Sequence, residues 1–233
     1  MLKRLQLDMS FIIALLVLSQ LMSLVFLRIW GKFSDRFSNK SVLGVSGPLF
    51  VGYILAWSFT TMPEKYSLTI PLLVAIHVFM GISTAGVNLA SGNIGLKLAP
   101  KGQATAYLAP RNIITSMAAG IAPVLGGRLA DFFAERELSW TLRWTGPERE
   151  LVFRTLSFQY WDFFFFFAFL IGWYSIHRLA MVKEVGEVKE KIVLHELIAE
   201  VRRATRSLST AGGLRHLTQF PFSIIRITHK RKE

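Results

Sequence analysis

Cysteine is absent from the 233 residues, which excludes disulfides, thiolate zinc sites and cysteine nucleophiles. Charge is scarce: Asp, Glu, Lys and Arg make up 18% of the chain, against about 25% in an average soluble domain. No Asp or Glu lies near the middle of any long apolar block. A phosphate loop ending in Gly-Lys-Ser/Thr is missing, which leaves direct ATP use without support. The five histidines show no metal-ligand spacing, and His195-Glu196 lacks a second His four residues on. No nucleophile, base and orienting group can be grouped, so the sequence offers no catalytic residue, no metal site and no cofactor.

What the chain does have is apolar length. Hydrophobic residues make up 52%, too many for a disordered chain, and they fall in long blocks rather than at surface-helix spacing. Five blocks, at about 11–27, 42–59, 68–89, 104–130 and 163–182, approach the roughly 20 residues that a helix needs to cross a bilayer. The expectation is an all-α integral membrane protein. Residues 1–182 form its membrane domain, a bundle of about five transmembrane helices, and residues 183–233 a basic tail. Strands are not expected, and 132–161 reads as a long loop, because the ten-residue alternating segments of membrane barrels are not evident.

A net charge of +12 could mean nucleic-acid binding, but its distribution points to membrane topology. The surplus falls in the stretch from Arg28 to Lys40, at Lys97 and Lys101, and in the tail, where eleven Lys and Arg outnumber six Glu. The long segment from Arg128 to Asp162 has five Arg against six acids. Cytoplasmic loops carry the excess of Lys and Arg, so the tail is expected in the cytoplasm and the N-terminus outside, with no nucleic-acid partner. Lys3 and Arg4, before the first block, run against this placement. In the tail, Val185, Val188, Ile192, Ile198, Val201 and Leu208 recur near helical spacing among Arg202, Arg203 and Arg206. This pattern predicts an amphipathic helix on anionic lipid from Lys183 to Leu208, with a second anchor from Phe220 to Lys232.

The segment Trp30-Gly31-Lys32-Phe33-Ser34-Asp35-Arg36-Phe37-Ser38-Asn39-Lys40 resembles the cytoplasmic-loop signature of the major facilitator superfamily, G-x-x-x-D-R-x-G-R-[RK]. Gly31, Asp35, Arg36 and Lys40 match; Ser38 and Asn39 depart from it. Such a glycine lets helix ends approach closely. The resemblance implies a charge lock that stabilises one conformation during alternating access, with Asp35 near a helix terminus and Arg36 and Lys40 pairing with acids and lipid headgroups. Gly120-Ile-Ala-Pro123-Val-Leu-Gly126-Gly127 is similar to the Gly/Pro-rich fifth helix of each six-helix half, where proline kinks and glycines permit packing. The order of these features, over about 1–183, resembles a C-terminal transporter half. By that resemblance the five blocks are the last five of twelve helices, and Met1 to Leu5 looks like the exit of a missing seventh.

The resemblance also implies that the first, third and fourth blocks face a central path. They carry Gln20, His77, Asn88, Asn93, Arg111, Asn112 and Ser116, and a polar group in hydrocarbon needs a partner or a water-filled path. Arg111 reads either as attraction for an anionic substrate group or as a snorkelling interface residue. His77 and the asparagines also fit satisfied helix contacts. In the second block Gly44, Pro48, Gly52 and Ala56, four apart, predict a packing stripe.

The function implied is transport of a small solute by alternating access, in a bacterial cytoplasmic (inner) membrane. It would depend on a missing N-terminal half supplied in cis or in trans. The alternative is a non-transporting membrane scaffold whose basic tail binds lipids or partners.

Overall fold

The computed structural model describes residues 5, 7–61, 68–145, 150–159 and 161–209. The second anchor expected from Phe220 to Lys232 lies outside them, as do Lys3 and Arg4.

Helix α1, Met9–Arg36, begins where the Asp8 carboxylate accepts the Ser10 N–H at 3.1 Å, which satisfies one of the free amides of a helix start. It runs on well beyond the apolar block that ends near Leu27. Gly31, Asp35 and Arg36 therefore lie in its last turns and not in a loop. Only Phe37 and Ser38 separate it from α2, Asn39–Ala56. Ser38 is extended, and its hydroxyl accepts the Ser41 N–H at 3.0 Å. A 3-10 turn, Trp57–Thr61, follows α2. Next come α3, Thr69–Leu98, and α4, Ala104–Phe133.

The region expected to be a loop holds two strands, β1, Glu137–Thr145, and β2, Glu150–Gln159. They pair antiparallel with a register shift after Trp140. Leu138, Trp140, Leu142 and Trp144 alternate along β1, and their partners are Phe158, Leu156, Phe153 and Leu151. The bulge, with Thr155 as the extra residue, shifts the alternation by one, so that each of these β1 positions is paired in the register with an apolar residue of β2. That same shift hides the alternation when β2 is read alone. Helix α5 is Trp161–Leu179, and α6, Glu190–Ser209, starts seven residues later than the tail pattern predicts.

Four described helices, α1 to α4 (the second including the 3-10 turn), are long and apolar enough to cross a membrane. Helix α5 has 19 residues, about 28 Å at 1.5 Å per residue. Asp162, His177, Arg178 and its Trp and Tyr residues lower its hydropathy.

Helix α3 is the centre of the bundle and packs against α1 and α2, while α2 also packs against α5. Small residues make this possible. A Cβ at Gly81 would collide with the Ser19 carbonyl and the Met22 side chain, and one at Gly86 would come within 2.6 Å of Ser46 Cβ. Trp30, fully buried, closes the seam between α1 and α3. Its indole N–H donates to the Ile82 carbonyl at 2.8 Å, so the ring is buried without an orphaned donor. At α5, Gly172 sits on Val51 of α2.

Other expected contacts differ. Among the described residues, a Cβ at Gly31, Gly120 or Gly127 would meet nothing within 4 Å, and one at Gly126 would meet the Phe164 ring at 3.3 Å. The stripe on α2 is a trough and not a helix seam. Gly44 and Pro48 line a cavity of about 420 Å³ with Trp173 and His177. Pro48, Gly52 and Ala56 line another of about 300 Å³ with Ile76 and Phe79.

The tail from Lys191 onward is a separate unit. In α6, Val193 and Leu197 are buried, Ile192, Leu194 and Ile198 are exposed, and Arg203 pairs with Glu200 at 3.4 Å.

Candidate functional site

Successive helices run in alternating directions, so the α1–α2 turn, the α3–α4 turn and the residues after α5 meet at one end. Their meeting point is Glu184. Its Oε1 accepts the Asn39 backbone N–H and the Asn39 side-chain amide, both at 3.1 Å, and its Oε2 accepts the Lys40 N–H at 2.7 Å. A buried carboxylate thus occupies the N-terminus of α2, where free amides and the helix dipole favour negative charge. Lys97, from the last turn of α3, reaches it at 3.8 Å and donates to the Ser34 carbonyl at 3.1 Å. Ser34 Oγ donates to Asn39 Oδ1 at 2.6 Å, which orients that amide toward Glu184.

The segment after α5 is shaped to deliver this carboxylate. Gly186 has φ +86°, and a Cβ there would meet the Phe37 carbonyl at 2.6 Å, so both backbone conformation and space call for glycine. The turn brings Glu187 to Lys40 at 2.7 Å. Ser41 Oγ donates to the Val188 carbonyl at 3.2 Å and accepts the Val188 N–H at 2.9 Å. The residues from Lys183 to Val188, expected to be interfacial helix, form a strap over the start of α2.

Lys40, donating to Glu187, holds the Glu187 carboxyl below its ordinary value of 4.5. A lowered carboxylate value gives a contribution that is complete above the unfolded value and is lost as pH falls through the folded one. Thermal melts of the wild type and Glu187→Gln should therefore differ at neutral pH and converge in acid below pH 4.5. A difference that persists in acid would assign the effect to something other than this ion pair.

Of the motif residues, Lys40 makes the acid contact that its type suggests. Asp35 and Arg36 are exposed, and the Arg36 guanidinium lies 5.0 Å from the Phe37 ring centre. The carboxylate that accepts the free amides at the start of α2 is that of Glu184. Nothing in the sequence near Asn39 signals Glu184, which lies 145 residues further on.

The polar positions of the apolar blocks divide into two sets. His77 is buried, its ring 5.6 Å from Trp57. Its Nδ1 lies 2.7 Å from the Leu73 carbonyl, which can only accept, so that nitrogen carries the proton. It is a satisfied helix contact. Gln20 on α1, Asn88 on α3, and Asn112 and Ser116 on α4 are exposed. Arg111 is half-buried, its stem 3.9 Å from the Cβ position of Gly95, and Asn93 is half-buried. Ala130 is the one buried residue among the 30 of α4, so this helix offers almost its whole surface, with its polar groups, to whatever surrounds it. None of these positions lines the two cavities along α2.

Comparison with known proteins agrees with this architecture. The family model described as Major Facilitator Superfamily matches residues 1–146. An MFS-type transporter from Aspergillus terreus (strain NIH 2624 / FGSC A1156) is 26% identical over 120 residues, covering 51% of this chain. That match spans 20% of the relative's length. No solved structure is significantly similar. With the match over more than half of the chain and four helices able to span a bilayer, this integral membrane protein belongs to the Major Facilitator Superfamily, a family of transporters.

Proposed function

We propose that this chain forms one side of the solute path of a secondary transporter working by alternating access, the other side coming from a second helical half in cis or in trans. The observation that carries this is the exposure of Gln20, Asn88, Asn112 and Ser116 on helices long enough to cross a membrane. Amide and hydroxyl groups facing lipid tails would stay unsatisfied, so such positions turn toward protein or a water-filled path. Rocking of two halves around a midplane site uses such a surface. Helix α5 completes the set as a fifth span. The excess of Lys and Arg favours the cytoplasmic side for the Glu184 end and for the tail. There the strap ties the start of α2 to the last turn of α3.

The absence of cysteine provides the test. Single cysteines at 20, 88, 112 and 116, in the full chain in its native membrane, should react with a hydrophilic, membrane-impermeant thiol reagent. Cysteines replacing Leu170 or Ile171 of α5, 45% and 69% exposed, should stay unlabelled in lipid. Labelling no greater at the four polar positions than at these controls would overturn the proposal.

A further inference from the structure

We infer that the β1–β2 hairpin lies flat in the lipid interface at the end of the bundle opposite Glu184, with its apolar face on the acyl chains. This goes beyond the transport reading and does not depend on it. Leu138 and Trp140 alternate along β1 with Glu137, Ser139, Thr141, Arg143 and Thr145, and the register pairs Leu138 with Phe158 and Trp140 with Leu156. Leu138 is 58% and Trp140 74% exposed, so this face is open to its surroundings. A two-stranded hairpin is marginal in water unless something covers its apolar face.

The cover is identified by what the face adjoins. The Phe158 ring, paired with Leu138 at the base of the hairpin, lies 5.9 Å from Phe163 and 5.8 Å from Phe166 of α5. Phe163 in turn stacks on Phe133 of α4 at 4.4 Å. The Gln159 N–H donates to the buried Asp162 carboxylate at 3.0 Å, which ties the end of β2 to the first turn of α5. The apolar face is thus continuous with the aromatic surface of α5, where Phe166, Ile171 and Trp173 are exposed. One residue, Tyr160, separates β2 from α5, and three separate α4 from β1, so the base of the hairpin is held at the ends of these two helices. Its charges from Glu137 to Arg154 balance, three Glu against three Arg, so no acidic or basic partner is favoured. Tryptophan and phenylalanine on one side with polar groups on the other suit the headgroup boundary.

Nitroxide labels on single cysteines test this in the full chain reconstituted in phosphatidylcholine vesicles. Labels replacing Leu138 and Trp140 should favour collision with oxygen over a water-soluble nickel chelate, as should a label at Ile171. Labels at Ser139 and Thr141 should show the inverse preference, so that the oxygen-to-nickel ratio alternates along β1. Nickel access at 138 and 140 equal to that at 139 and 141 would mean that water covers the face. Exclusion of both reagents at 138 and 140 would mean that protein covers it. Either result overturns the inference. Leu138 and Trp140 are read separately, so one variant that disturbs the hairpin does not decide the outcome.

Discussion

Gly81→Leu and Gly86→Leu are each expected to abolish the folded bundle in detergent, while Gly52→Leu and Gly120→Leu leave it folded. The difference lies in what each glycine faces. At Gly81 the first added carbon meets the Ser19 carbonyl, which is helix backbone and can yield only if α1 moves. At Gly86 it meets Ser46 Cβ at 2.6 Å and Trp30 Cε2 at 3.0 Å. Trp30 cannot withdraw, being fully buried and hydrogen-bonded to Ile82. Overpacking a close-packed seam costs about 1–3 kcal/mol and sometimes more, and here the added group strikes backbone or a fixed ring. At Gly52 and Gly120 nothing among the described residues lies within 4 Å of a Cβ, and leucine there also raises helix propensity. Monodispersity and melting temperature in detergent check this. Equal losses in all four variants would show that generic glycine replacement, and not these seams, governs stability.

These positions show how far the sequence can be read. Long apolar blocks disclosed the helices, because spanning a bilayer demands length and little else. Membership of the superfamily was visible in Gly31, Asp35, Arg36 and Lys40 and in the Gly/Pro pattern of α4. The partners of each glycine were not visible. Gly120 and Gly127 belong to a known pattern yet face open space, whereas Gly81 and Gly86, in no pattern, hold the helices together. Helix ends are not legible where charge enters a helix that continues. Arg28 to Arg36 ended an apolar block without ending α1. The hairpin is hidden in the sequence because its bulge shifts the period by one residue and leaves β2 without a continuous alternation. Among the polar positions, His77 and Asn88 look alike in sequence. Only the structure separates a ring bonded to its own helix from an amide on the surface.

Glu184 was the least legible of all, and its removal should have the second large effect. Glu184→Ala is expected to destabilise the protein by about 2–4 kcal/mol, combining the loss of a helix cap with buried donors left unpaired. The orphaned groups are the backbone amides of Asn39 and Lys40 and the Asn39 side chain, and Asn39 and Ser38 are both fully buried. Water therefore cannot replace the carboxylate unless the strap opens. Lys97 adds less, because its side chain is 46% exposed and solvent screens the attraction. Glu184→Gln keeps one acceptor oxygen but loses the second and the charge, so it should fall between wild type and Glu184→Ala. Gly186→Val should resemble Glu184→Ala, although it leaves the carboxylate in place, because a side chain at φ +86° with the Phe37 carbonyl at 2.6 Å prevents the turn that delivers it. Glu190→Gln, at an exposed position outside the Glu184 network, is the control. Melting temperatures in detergent and proteolysis between α5 and α6 report the two effects together. If Glu184→Ala melts with the wild type and its strap is cut no faster, the carboxylate does not hold the start of α2. If Glu184→Ala is destabilised but Gly186→Val is not, the cap does not depend on the turn.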